Sequence, residues 1–64
     1  MKLNGKQIKI KDIITLQELI DLYKYDVKNV AVLVNERIIK SSQWNDYNLS
    51  EDDNVEIIGF VGGG

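Results

Sequence analysis

Three consecutive glycines, Gly62-Gly63-Gly64, close the 64-residue sequence directly behind an apolar run from Val55 to Val61. At average usage of about 7% per position, such a triplet arises by chance roughly three times in ten thousand. Lacking Cβ atoms, the segment can thread a narrow slot and take backbone angles closed to other residues. It also presents an unhindered terminal carboxylate on Gly64. An α-carboxyl has a reference pKa of about 3.3–3.7, so the group is ionised at neutral pH. A carboxylate is a poor acyl donor, because its charge repels nucleophiles and oxide does not leave. Adenylation by ATP supplies a leaving group by forming a mixed anhydride, and this is the chemistry such a tail suits. A frayed end or a flexible linker is the bland alternative, and the tail alone does not decide between them.

Composition removes most other chemistry. With no Cys and no His in the chain, thiol catalysis, the common zinc sites and imidazole acid-base catalysis are excluded. The acidic residues show no calcium-loop spacing, so no metal is expected. A core this small leaves little room for a deep substrate pocket, and no catalytic residue is assigned. The formal net charge of −2 argues against nucleic acid, which needs clustered cations. No apolar stretch approaches the roughly 20 residues of a membrane span, and no signal peptide opens the chain. The expectation is a cytosolic protein that is not itself an enzyme.

The tail needs a body to carry it. Met1 to Asn4 and Lys6 to Lys11 read as two strands joined at Asn4-Gly5, a pair suited to the positive φ of a two-residue hairpin. Ile8 and Ile10 alternate with Gln7, Lys9 and Lys11, giving one wet face and one buried face. Thr15-Leu16-Gln17-Glu18 matches the capping box. Leu16, Leu19, Ile20 and Tyr23 then share one helical face, with Glu18 and Asp21 outside it, and the helix runs to about Tyr23 or Lys24. Val30 to Val34 is apolar at every position, as in a strand covered on both faces. Asn35-Glu36 is a tight turn into a short strand, Arg37 to Lys40. The stretch from Ser41 to Asn48 is polar and irregular apart from Trp44 and Tyr47. Ser50 to Asn54 is a turn, and Val55 to Val61 is the final strand. Strand, strand, helix, strand, strand, strand is an α+β order with one main helix packed on one face of a sheet.

Several segments carry a resemblance. Leu3-Asn4-Gly5-Lys6, Val34-Asn35-Glu36-Arg37-Ile38-Ile39, Ser42-Gln43-Trp44, Leu49 and the ending Val55 to Gly64 resemble the ubiquitin-like β-grasp sulfur carriers, most closely the thiamine-biosynthesis (ThiS-type) group. The likeness covers essentially the whole chain. It departs at Lys40-Ser41, where many members have Pro-Arg, and at Asp52-Asp53, where Gly-Asp is usual. The resemblance implies a mixed five-stranded β-grasp sheet, with its first and last strands parallel at the centre. It also implies that an E1-like adenylating enzyme uses ATP to activate Gly64, and that sulfur from a sulfur-donor system displaces AMP. The resulting thiocarboxylate would be handed to a thiazole synthase. The chain binds no cofactor of its own in this reading. Having no Cys, it carries no persulfide, which leaves the terminus as the point of attachment. Two related readings are a molybdopterin-synthase small subunit and a ubiquitin-related modifier. A third is a β-grasp interaction module whose terminus does no chemistry.

The expected organisation is a domain over residues 1–60 and a flexible tail over 61–64. Fully extended, Val61, Gly62, Gly63 and Gly64 reach at most about 13–14 Å, enough to enter an enclosed site while the body stays outside. Ordering them costs roughly 1–2 kcal/mol per residue, so the body must contribute contacts. Ala31, Leu33, Ile58 and Phe60 are the candidate docking patch, with core packing as their alternative, because the sequence leaves open which alternate set faces the helix. Trp44 is read as an anchor for its loop. Glu51, Asp52, Asp53 and Glu56 are read as a solvated acidic turn, with a basic partner surface as the alternative.

Overall fold

The computed structural model describes residues 1–11, 13–23 and 28–59. Two hairpins frame the fold. The first joins β1 (Lys2–Leu3) to β2 (Lys6–Gln7), and the second joins β3 (Val30–Val34) to β4 (Arg37–Ile39). Both turn on two residues of positive φ, Asn4 (50°) with Gly5 (84°) and Asn35 (51°) with Glu36 (70°), as a type I′ turn requires. Asparagine tolerates this region through its short polar side chain, whereas glutamate meets the Cβ–carbonyl crowding. Replacing Glu36 with Gly should therefore raise stability by about 0.5–1 kcal/mol in urea denaturation. An unchanged or lower midpoint would show that the turn stores no strain at this residue.

Helix α1 (Leu16–Leu22) starts on the expected capping box, with Thr15 and Glu18 each accepting the other's backbone N–H. The remaining N-terminal donors find partners far along the chain. Leu16 N–H donates to Tyr47 O at 2.9 Å and Gln17 N–H to Trp44 O at 3.0 Å, while Leu19 N–H makes the first regular helical bond, to Thr15 O at 3.1 Å. All four N–H groups that a helix start leaves open are thereby satisfied. The irregular segment thus holds the helix in place. Trp44 is buried in the core and its Nε1–H donates to Ile39 O at 2.9 Å, so it anchors this loop as expected.

The last strand, β5 (Asn54–Gly59), lies between the hairpins. Among the described residues the five strands form one sheet in the order β2-β1-β5-β3-β4. β5 is parallel to β1, with Leu3 opposite Val55, and antiparallel to β3, with Val32 opposite Ile57. Leu16, Leu19 and Ile20 of α1 join Leu3, Val32, Val34, Val55, Ile57, Trp44 and Leu49 in a single hydrophobic core.

Several boundaries differ from the sequence reading. β2 ends at Gln7 rather than Lys11: its last rung is Ile8 N–H to Met1 O, and Ile13 N–H then closes a turn onto Ile10 O. Ile8 and Ile10 still pack against the core, so their alternation survives without a ladder. Tyr23 leaves the apolar stripe because it caps α1 at φ −90°, ψ 3°, and its side chain is exposed. The first strand and β4 are each a residue or two shorter than expected. Lys24, Phe60 and Val61, to which the helix and final strand were extended, lie outside the described residues. The two loop departures are sterically benign. Lys40 holds φ −66°, ψ 145°, the angles a proline would take. Asp52 is not among the positive-φ positions, so no glycine is needed there.

Candidate functional site

The strand that leads to the tail is the best secured of the sheet. β5 is hydrogen-bonded on both edges, and each hairpin asparagine adds a side-chain bond to it. Asn4 Oδ1 accepts from Ile57 N–H at 2.8 Å, and Asn35 Oδ1 accepts from Asn54 N–H at 2.9 Å. Asn35 also donates through Nδ2 to Asp53 Oδ1 at 2.9 Å, and the other oxygen of Asp53 accepts from Ser50 N–H at 2.8 Å. The Asp53 carboxylate is therefore engaged in its own turn. Glu51, Asp52 and Glu56 are exposed.

The register settles which face of the sheet is open. Val32, Val34, Val55 and Ile57 point to the helix and are buried. On the opposite face Ala31 stands across from Ile58, and Leu33 across from both Glu56 and Ile38. Ala31 and Leu33 are half-buried, whereas Ile58 is 48% and Ile38 is 72% exposed. The structure thus brings together three members of the expected patch, Ala31, Leu33 and Ile58, on the uncovered face. Phe60 lies outside the described residues, as do Val61, Gly62, Gly63 and Gly64. Ile38 was missed by the sequence reading. A two-residue turn at Asn35-Glu36 fixes Arg37 opposite Val34 and hence Ile38 opposite Leu33, so the hairpin already held that signal.

Concave features lie elsewhere. A groove of about 500 Å³ runs along the helix side, lined by Lys9, Lys11, Ile13, Glu18, Asp21 and Leu22. Among the described residues no polar or charged side chain is buried, and no group of acidic residues is placed to hold a metal ion. No described helix is long and apolar enough to cross a membrane. What the arrangement offers is a five-stranded sheet with an open apolar face and a central strand, β5, that precedes the glycines in the sequence.

Known proteins share this architecture. A crystal structure of the thiamine biosynthesis protein (ThiS) from Geobacter metallireducens matches with a TM-score of 0.83, over 98% of this chain and 96% of that one. Its sequence is 24% identical, so the likeness is one of fold, the ubiquitin-like β-grasp. The sulfur carrier protein ThiS of Bacillus subtilis (strain 168) is 40% identical over 65 residues, spanning 100% of this chain and 98% of that protein. The ThiS family model matches residues 1–64, and the chain belongs to the ThiS family.

Proposed function

We propose that this protein is a cytosolic sulfur carrier in thiamine biosynthesis, with the Gly64 carboxylate as its reacting group. An oxygen of that carboxylate attacks the α-phosphorus of ATP on an E1-like adenylating enzyme, and pyrophosphate leaves. A sulfur nucleophile from the sulfur-donor system then attacks the acyl carbon, and AMP departs with the original carboxylate oxygen. The product is a C-terminal thiocarboxylate, –C(O)S⁻, which a thiazole synthase consumes. The chain is the substrate of these enzymes and carries no catalytic group of its own. The observation that carries this reading is the family match over residues 1–64, which ends in Gly62-Gly63-Gly64 behind the central strand.

Intact mass spectrometry tests it. After incubation with the adenylating enzyme, ATP and a sulfur donor, the protein should gain about 16 Da, sulfur replacing oxygen. Unchanged mass with tight binding to the enzyme would instead describe an interaction module. A heavy covalent adduct on a lysine would describe a modifier. A native product extending past Gly64 without being trimmed back would also overturn the reading.

In this proposal the body docks through Ala31, Leu33, Ile58 and Phe60, joined by Ile38, while residues 61–64 form the inserted tail. Because Ile58 is half exposed in the free protein, its substitution by Glu should cost less than about 0.5 kcal/mol of stability. The same change places a charge in the centre of a desolvated contact, so KM for the adenylating enzyme should rise about tenfold or more. An unaltered KM would place the docking surface elsewhere.

A further inference from the structure

We infer that Asn4 is a positioning residue for loading of the tail, acting through the backbone of Ile57; the inference rests on the terminal chemistry proposed above. β1 meets β5 only at Lys2 opposite Asn54 and Leu3 opposite Val55. Asn4 N–H adds one more bond, to Val55 O at 2.9 Å, and the chain then turns away through Gly5 into β2. The next N–H of β5 on that edge belongs to Ile57, beyond the reach of the β1 backbone. Asn4 Oδ1 meets it at 2.8 Å, across 53 positions of sequence. One side chain thus extends the central ladder by a rung, at the point where the strand heads for the tail.

The position of this rung gives it consequence. Ile57 precedes Gly64 by seven residues (64 − 57) and lies immediately before Ile58 of the proposed docking face. With its N–H held, β5 is fixed on both edges as far as Ile57 before any partner arrives, and binding need not order that stretch. Without it, β5 is held by β3 alone from Ile57 onward instead of from Ile58. Body docking through Leu33 and Ile38 is unaffected, so the loss falls on the later step of seating the terminus.

Asn35 supplies an internal control. It too opens a type I′ turn and bonds a β5 N–H, but at Asn54, the end of the strand remote from the tail. Three variants separate positioning from folding. Asn4→Gly keeps the positive φ at no steric cost and removes the acceptor. Asn4→Asp retains a side-chain oxygen in the same place. Asn35→Gly removes the remote bond to Asn54 together with the one Asn35 donates to Asp53.

Amide exchange at Ile57 should accelerate in Asn4→Gly and recover in Asn4→Asp. In steady-state loading with the adenylating enzyme, ATP and sulfur donor, Asn4→Gly should lower kcat by about 5- to 30-fold, the factor carried by ordering one more residue's backbone. KM should stay unchanged, Asn4→Asp should restore most of the rate, and Asn35→Gly should load like the wild type. Equal kcat for Asn4→Gly and wild type would overturn the inference alone, as would an equal loss in Asn35→Gly. A wild-type protein that never gains sulfur would overturn the terminal-chemistry reading and this inference with it.

Discussion

A chain lacking Gly63 and Gly64 should acquire no sulfur at all, while its circular dichroism and unfolding midpoint match the full-length protein. The chemical half follows from reach. Removing two residues withdraws the carboxylate by about 7 Å at 3.3–3.6 Å per residue. Reacting atoms must approach to about 3–3.5 Å, and a misplacement of even 1 Å can cost about a hundredfold. The shortened chain would still end in a glycine α-carboxylate, so the loss would report position and not a change of reacting group. The structural half follows from where the core lies. Every buried side chain among the described residues falls between Met1 and Ile57, and the strand pairing that closes the sheet ends at Gly59 opposite Val30. Sulfur loading at the normal rate by the shortened protein would move the reacting group elsewhere in the chain. Unfolding on truncation would make the tail a structural element.

Local chemistry was legible in the sequence wherever the interacting groups are neighbours in it. Thr15 and Glu18 sit three apart and find each other as a capping box. Asn4-Gly5 closes a hairpin because both residues accept positive φ. The limits appear where the partner is remote. Val30 to Val34 is apolar throughout, so periodicity could not say which set meets the helix; the pairing of Val32 with Ile57 and Val34 with Val55 decides it. The parallel pairing of β1 with β5 joins the two ends of the described chain, and only the family resemblance suggested it. The carbonyls of Trp44 and Tyr47 that complete the helix start come from a segment whose polar composition reads as loop. For the patch, the alternation of Ala31 and Leu33 was visible, but its continuation across Ile38 needed the hairpin register. Tyr23 shows the converse error, since helical spacing placed it on the stripe after the helix had already ended.

Leu19→Ala should nearly unfold the protein, whereas Leu22→Ala three residues later should hardly register. Both are leucines of α1, so helix propensity falls out of the comparison. Leu19 is fully buried among the sheet residues of the core, while Leu22 is 60% exposed. Truncating a buried leucine costs about 2–5 kcal/mol, with the upper part of the range where the surroundings cannot collapse onto the cavity. Leu19 belongs to the same buried cluster as Trp44, Val32 and Val55, on a helix tied at its start to a remote loop, so little relaxation is available. A domain of 64 residues has a total stability of only about 3–10 kcal/mol at typical values per residue, and its small core has no reserve elsewhere. The expected result in urea is a midpoint displaced toward zero for Leu19→Ala at an unchanged m-value, and a shift below about 0.5 kcal/mol for Leu22→Ala. Loading ties this to function. If the folded part is the handle by which enzymes grip a reactive end, Leu19→Ala should load in proportion to its folded fraction and recover on cooling toward the temperature of maximum stability. Full loading by an unfolded Leu19→Ala population would mean that the enzymes read the tail alone, and that the sheet and its open face contribute nothing to recognition.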